Sequence, residues 1–132
     1  MKKISLLAAA VMGCWFATAP AGGDLRVFAP QPTAIHLRHP ATPQFFAHTL
    51  NLEDAALATS SPCCTECNWQ RQRVSHLVNP LQARAITGHV SVTVRAPECW
   101  LADALTKVGL NSPGRAEKLL AQYEAEAFML TA

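Results

Sequence analysis

The sequence predicts an α+β fold: a mostly antiparallel sheet covered on one face by two C-terminal helices. Three observations carry that prediction. "HVSVTVRAP" alternates cleanly, two stretches of helical period follow it, and short extended segments closed by Pro, Gly or Asn-Pro precede it. With 132 residues the chain is one domain at most, long enough to bury a core. Half of the residues are hydrophobic and 15% are charged, a composition that fills an interior and argues against disorder. The net charge of +2 is not gathered into any run or face, so nucleic acid is not an expected partner.

The leading residues set the expected compartment. "MKK" is a short basic start, and Ile4 to Ala19 carries no charge. That run is too short for a comfortable membrane span but suits the apolar core of an export signal. Two processing patterns compete. "APA" at Ala19–Ala21 has the small-x-small form of an ordinary signal, whereas "VMGC" at Val11–Cys14 resembles a bacterial lipobox with Cys14 as the acylated residue. A leading helix or strand without processing is the third reading. The expectation is therefore a signal-like segment over 1–21 and a folded domain over 22–132. The chain would be exported to the periplasmic side of the inner membrane, with lipid on Cys14 its one membrane anchor if the lipobox is the pattern processed.

The elements follow in order. "DLRVFAP" and "TAIHLRHP" are extended segments, each ended by proline. "TLNLEDAALATSS" is a strand or strand pair broken at Glu53–Asp54, and "RVSHLVNP" is one further extended run closed by Asn79–Pro80. In "HVSVTVRAP", Val90, Val92 and Val94 share one side, and Ser91, Thr93 and Arg95 the other. "APECWLADALTKV" places Leu101, Leu105 and Val108 on a helical stripe. "NSPGRAEKLLAQYEAEA" offers Ser112 as N-cap, Pro113 in the first turn, and Leu119, Leu120 and Tyr123 as a buried stripe. "AFMLTA" closes as a strand.

Apart from Cys14 there are four cysteines, Cys63, Cys64, Cys67 and Cys99, which suit an exported chain and allow three pairings. The CxxC within "CCTEC" lacks a second ligand pair at zinc spacing, and its Pro and Asn neighbours read as loop rather than a redox helix start. A loop staple or buried thiols is the simpler reading.

Four segments could carry chemistry. "GGD" at Gly22–Asp24 permits an unusual turn or a close approach to a ligand. "ATSS" sets Thr59 and Ser60 at a strand end, where hydroxyls bind anions or merely finish a strand. His76 in "SHLVNP" is a candidate base. Asp103 and Thr106 offer oxygens that suit magnesium, although Lys107, four residues after Asp103, equally makes an exposed helix pair.

Taken in order, "GGDLRVFAP", "ALATSS", "SHLVNP" and "SVTVRAPECWLADALTKV" resemble the C-terminal part of the ApbE-type FAD:protein FMN transferases. Those enzymes use FAD and magnesium and attach FMN through a phosphoester to a Thr or Ser of a target flavoprotein. The resemblance implies roles. Asp103, with Thr106, corresponds to the metal-binding helix segment, and His76 to the histidine near the diphosphate. Gly22, Gly23 and Asp24 correspond to the glycine-acid turn, and Thr59 and Ser60 to the hydroxyl-rich strand. A target flavoprotein of a membrane redox complex is the implied partner.

The chain also departs from the pattern. Lys107 stands where the family has a second metal-binding Thr, "LQAR" replaces the Thr-Gly after the histidine turn, and Ser61 replaces a glycine. The family's N-terminal half has no counterpart in the segments matched. Two alternatives to the transferase accompany these departures. One is a non-catalytic flavin-binding or assembly module for a periplasmic redox protein. The other is a small disulfide-stabilised domain without flavin.

Overall fold

The computed structural model describes residues 17–132 except 22, 29–30 and 64, with backbone alone for 17–21. The "MKK" start, Cys14, Gly22 and Cys64 therefore lie outside the described residues. In chain order the elements are β1 (Ala17–Ala21), β2 (Asp24–Phe28), β3 (Thr33–Arg38), β4 (Phe46–Leu52) and β5 (Ala56–Ser60). Then come β6 (Cys67–Trp69), β7 (Gln72–Val74), β8 (Val78–Asn79), β9 (Arg84–Ala85) and β10 (Val90–Ala96). Helices α1 (Cys99–Asn111) and α2 (Pro113–Gln122) and strand β11 (Glu126–Thr131) complete the fold. No helix among the described residues is long and apolar enough to cross a membrane.

The main sheet has the order β1-β2-β5-β10-β11, and every neighbouring pair is antiparallel. Strand periodicity sorts its side chains. Ala56, Ala58, Val92, Val94 and Ala96 turn to one face and are buried against Leu101, Ala102 and Leu105 of α1. Leu57 and Val27 turn to the other face, where the β3–β4 hairpin covers them with Leu37, Leu50 and Leu52. The helices thus cover one face as expected, and a second two-stranded layer covers the other. That layer explains why Ser91 and Thr93, on the side of β10 turned away from the helices, are buried as well.

Small residues let α1 lie close to the sheet. Gly109 faces Val92, and a Cβ at Gly109 would stand 2.9 Å from Val92 Cγ1. Valine is β-branched and held in a strand, so its methyl has little freedom to withdraw. Burying Leu101 and Leu105 in this contact is worth about 1.5–3 kcal/mol each.

Ser112 joins the helices differently from a simple cap. Its hydroxyl caps nothing; its N–H closes α1 on the Val108 carbonyl, and its own carbonyl accepts from Arg115 and Ala116. In α2 the buried residue is Ala116, with Leu119 and Leu120 partly buried. Tyr123 is 42% exposed, because α2 ends at Gln122 and the chain turns away at Tyr123. The "RVSHLVNP" run is not continuous either. It splits into β7 and β8, because the Ser75 hydroxyl accepts from the Leu77 N–H and donates to the Ile86 carbonyl, folding the chain between them.

Gly109→Ala should destabilise the protein by about 1–3 kcal/mol through overpacking, despite alanine's better helix propensity. Urea unfolding checks this. In a double-mutant cycle with Val92→Ala the two changes should couple favourably, because the smaller strand residue admits the new methyl.

Candidate functional site

Topology brings the candidate segments to one end of the sheet. β2 begins where its antiparallel partner β5 ends, and β10 begins there too, with Asp24 opposite Ala58 and Ser60 opposite Val92. The loops after β5 and before β10 are tied together at that end. Ser61 Oγ donates to the Val90 carbonyl at 2.7 Å, and the Glu66 carboxylate accepts from the Gly88 N–H and pairs with Arg73.

Two places differ in character there. The first is a cavity of about 370 Å³ between the sheet and the β3–β4 hairpin, within the usual range for small-molecule sites. Leu25, Leu57, Thr59 and Thr93 form its floor, Leu37 its roof, and Gly23 one end. Gly23 holds φ at +107°, which glycine adopts without strain, and it lies open to the cavity with no atom within 4 Å of a would-be Cβ. The Thr59 and Thr93 hydroxyls bond each other at 2.8 Å across β5 and β10. An apolar floor with a pair of hydroxyls suits a flat ring that also carries polar atoms.

The second place is a charged group on the helix side. Asp103 pairs with Lys107 one turn along α1, both about two-fifths exposed. Asp24 stands within electrostatic range of both. Burial raises its carboxyl above the ordinary carboxylate value, the Asp103 charge adds to the rise, and Lys107 opposes it. Cys99, one turn before Asp103, has its thiol raised by burial and by Asp24, with Arg26 opposing and Glu98 adding. Asn111, one turn beyond Lys107, donates to the Lys107 carbonyl at 2.9 Å and leaves its Oδ1 buried without a partner among the described residues.

Three residues with implied roles are placed elsewhere. Thr106 is fully buried on the sheet-facing side of α1. Its hydroxyl lies 2.7 Å from Ser60 Oγ and donates to the Asp103 carbonyl at 2.7 Å. Because that hydroxyl is spent in the core, Thr106 is not free to share a cation with Asp103, although three-residue spacing sets the two on neighbouring parts of the helix. Ser60 is likewise buried beneath α1 and serves packing, while its neighbour Thr59 faces the cavity. His76 is exposed on the loop side, with Nδ1 2.6 Å from Thr65 Oγ1. Thr65 in turn donates to the Pro62 carbonyl, so His76 is anchored to the loop following β5.

The donors do not fit magnesium as they stand. The Asp103 carboxylate is occupied by an ammonium, the Thr106 hydroxyl is committed to the core, and no group of three or more His, Cys, Asp or Glu that could hold a metal is present among the described residues. Cys67 and Cys99 are free thiols, Cys67 exposed on β6 and Cys99 half-buried on α1, so the expected staple does not join those two.

Sequence reasoning passed over Thr93, Arg26 and Asn111. Thr93 was legible only as the outward side of an alternating strand. Arg26, paired with Asp54 at 2.8 Å and set over the Phe28 ring at 4.7 Å, carries no motif.

The sequence model of the ApbE family matches residues 8–129. The chain belongs to the ApbE family. Solved structures agree on the fold. The ApbE protein from Thermotoga maritima superposes with a TM-score of 0.71 at 23% identity, covering 86% of this chain and 39% of that one. For the flavinyl transferase ApbE from Pseudomonas stutzeri, in its apo form, the values are 0.61, 20%, 91% and 39%. The flavin transferase ApbE from Vibrio cholerae gives 0.56, 22%, 85% and 37%. The chain thus spans about two-fifths of the length of these ApbE structures. Comparison with curated protein sequences found no match.

The Glu66 contacts make the loop end of the site pH-sensitive. The Gly88 N–H, the first cause, and Arg73 hold the Glu66 carboxyl below its ordinary value of 4.5, with partial burial opposing. A lowered acid contributes stability that is fully present above the unfolded value and is lost as pH falls through the folded one. The protection factor of the Gly88 amide, its intrinsic exchange rate divided by the observed one, should therefore fall as pH drops below about 4.5. Glu66→Gln should show weaker protection already at neutral pH and no further loss in acid.

Proposed function

We propose that this ApbE-family chain is a flavin transferase-like protein that binds FAD and presents it for transfer of FMN to a Thr or Ser hydroxyl of a target flavoprotein. The observation that carries this reading is the convergence of Gly23, Asp24, Thr59 and Asp103 at one end of a single sheet. FAD supplies the diphosphate whose cleavage drives the transfer. The chain's own residues bind and orient. Leu25 and Leu57 with the Thr59–Thr93 pair receive the ring, and the open backbone at Gly23 lets it approach β2. Asp24, its carboxyl raised by burial, is the group best placed to take a proton from an acceptor hydroxyl. His76, anchored through Thr65, orients the loop beside it.

The Lys107–Asp103 pair favours a second reading, a non-catalytic flavin-binding or assembly module. Export to the periplasmic side belongs to both readings and rests on the basic start and uncharged run of the sequence. A flavoprotein of a membrane redox complex is the partner proposed. Ala17–Ala21 pairs along the whole of β2, so cleavage before Cys14 preserves the sheet and cleavage after Ala21 would remove a strand. Mass spectrometry of the chain recovered from cells should find lipid on Cys14; an unprocessed chain starting at Met1 would reject export.

Titration of the chain with FAD should be saturable. Thr59→Phe, which fills the cavity floor, should weaken binding at least about tenfold, or about 1.4 kcal/mol, with the fold retained. No saturable binding would reject both readings. Incubation with FAD and the target flavoprotein then separates them: flavin fluorescence on the denatured target marks transfer, and binding without it marks the module.

A further inference from the structure

Among the described residues, the acids beside α1 are met by a cation of the same helix. Asp103 and Asp24 contribute two carboxylates and Lys107 one ammonium, bonded directly to Asp103. A divalent ion approaching Asp103 would meet that ammonium on the carboxylate and would have to expel it against like-charge repulsion. The Thr106 hydroxyl does not offset the loss, since its side chain is turned into the core and bonded to Ser60. Lys107 keeps 45% of its side-chain surface. An ammonium has three donors, so after Asp103 takes one, two remain for phosphate oxygens. Its charge also acts on Asp24, at the start of β2, the strand that α1 touches.

We infer that the Lys107 ammonium is the resident cation of this site, standing where a divalent ion would otherwise sit, and that a flavin diphosphate binds here without magnesium. The second half rests on the flavin reading above; the first half does not. The chain thereby exchanges a dissociable metal for a tethered charge. A single positive charge on a flexible stem neutralises less of a diphosphate than a divalent ion does, but it is present at every metal concentration.

The test uses manganese chloride on the full chain, followed by electron paramagnetic resonance of the free ion and by calorimetry. The unmodified protein should show no saturable binding at millimolar manganese. Lys107→Thr should bind saturably, at least about tenfold tighter, and Asp103→Asn in that background should remove the gain. Lys107→Met provides a second variant that removes the charge with little change of volume, with circular dichroism as the folding control. Manganese binding by the unmodified chain as tight as in Lys107→Thr would overturn the inference, as would folded Thr and Met variants with no gain. In the FAD arm, affinity of the unmodified chain should be equal in EDTA and in magnesium. Lys107→Thr should lose about tenfold in EDTA and recover it with magnesium. Magnesium-enhanced FAD binding by the unmodified chain would overturn the metal-independent half. If FAD binds in neither buffer, the flavin reading fails, and the manganese result alone still decides whether Lys107 holds the cation's place.

Discussion

The rotation of α1 about its own axis is the constraint on which the site depends. Three contacts fix it from the sheet side: Gly109 against Val92, the Thr106 hydroxyl on Ser60, and Leu101 with Leu105 among the alanines of β5. Successive residues of a helix are about 100° apart, so once Thr106 faces the sheet the directions of Asp103 and Lys107 are determined. They emerge on the flank nearest the start of β2, where Asp24 stands. A helix seated one residue differently would scatter these charges. The apolar contact and the polar cluster are therefore one arrangement seen from two sides.

Strand β5 divides its hydroxyls between the two layers. Ser60 points beneath α1 and locks the helix, whereas Thr59 points beneath the β3–β4 hairpin and meets Thr93. Neighbours in sequence thus serve separate purposes, one holding the scaffold and the other lining a cavity. The same alternation holds where the chain enters β2, with Gly23 open on the cavity and Asp24 on the helix side. The apolar cavity and the charged group are kept apart by the thickness of a sheet and meet only at its end.

The elements that dominate the fold were legible because pattern and propensity agree there. The valines of β10 alternate, Pro113 opens α2, and Glu53–Asp54 breaks β4 from β5 with Asp54 at a φ of 38°. The β6–β7 hairpin was not legible. Its two-residue turn, Gln70–Arg71, takes positive φ at both positions with neither Gly nor Asn to announce it. The site was legible by segment and not by side-chain direction. The family resemblance located "ATSS" and "ADALTK", but only packing decides that Ser60 and Thr106 face each other in the interior. Lys107 was the exception, since a four-residue spacing on a helix predicts a contact and the contact is there.

The place of β5 in the sheet bears on how the chain assembles. β3–β4 and the β10–α1–α2–β11 segment are local units, each closed by short connections, and they form with little loop-closure cost. β5 pairs with β2 across the whole inserted hairpin and with β10 across the loop-rich stretch between Ser61 and His89. Its docking on both sides is the long-range event, and such events limit the rate. Until it happens, β2 and β10 each expose an unpaired apolar edge, Leu25 and Val27 on one and Val92 and Val94 on the other. The most aggregation-prone moment in this protein's life is thus the interval before a five-residue strand finds its slot, a risk set by kinetics and invisible in the finished sheet.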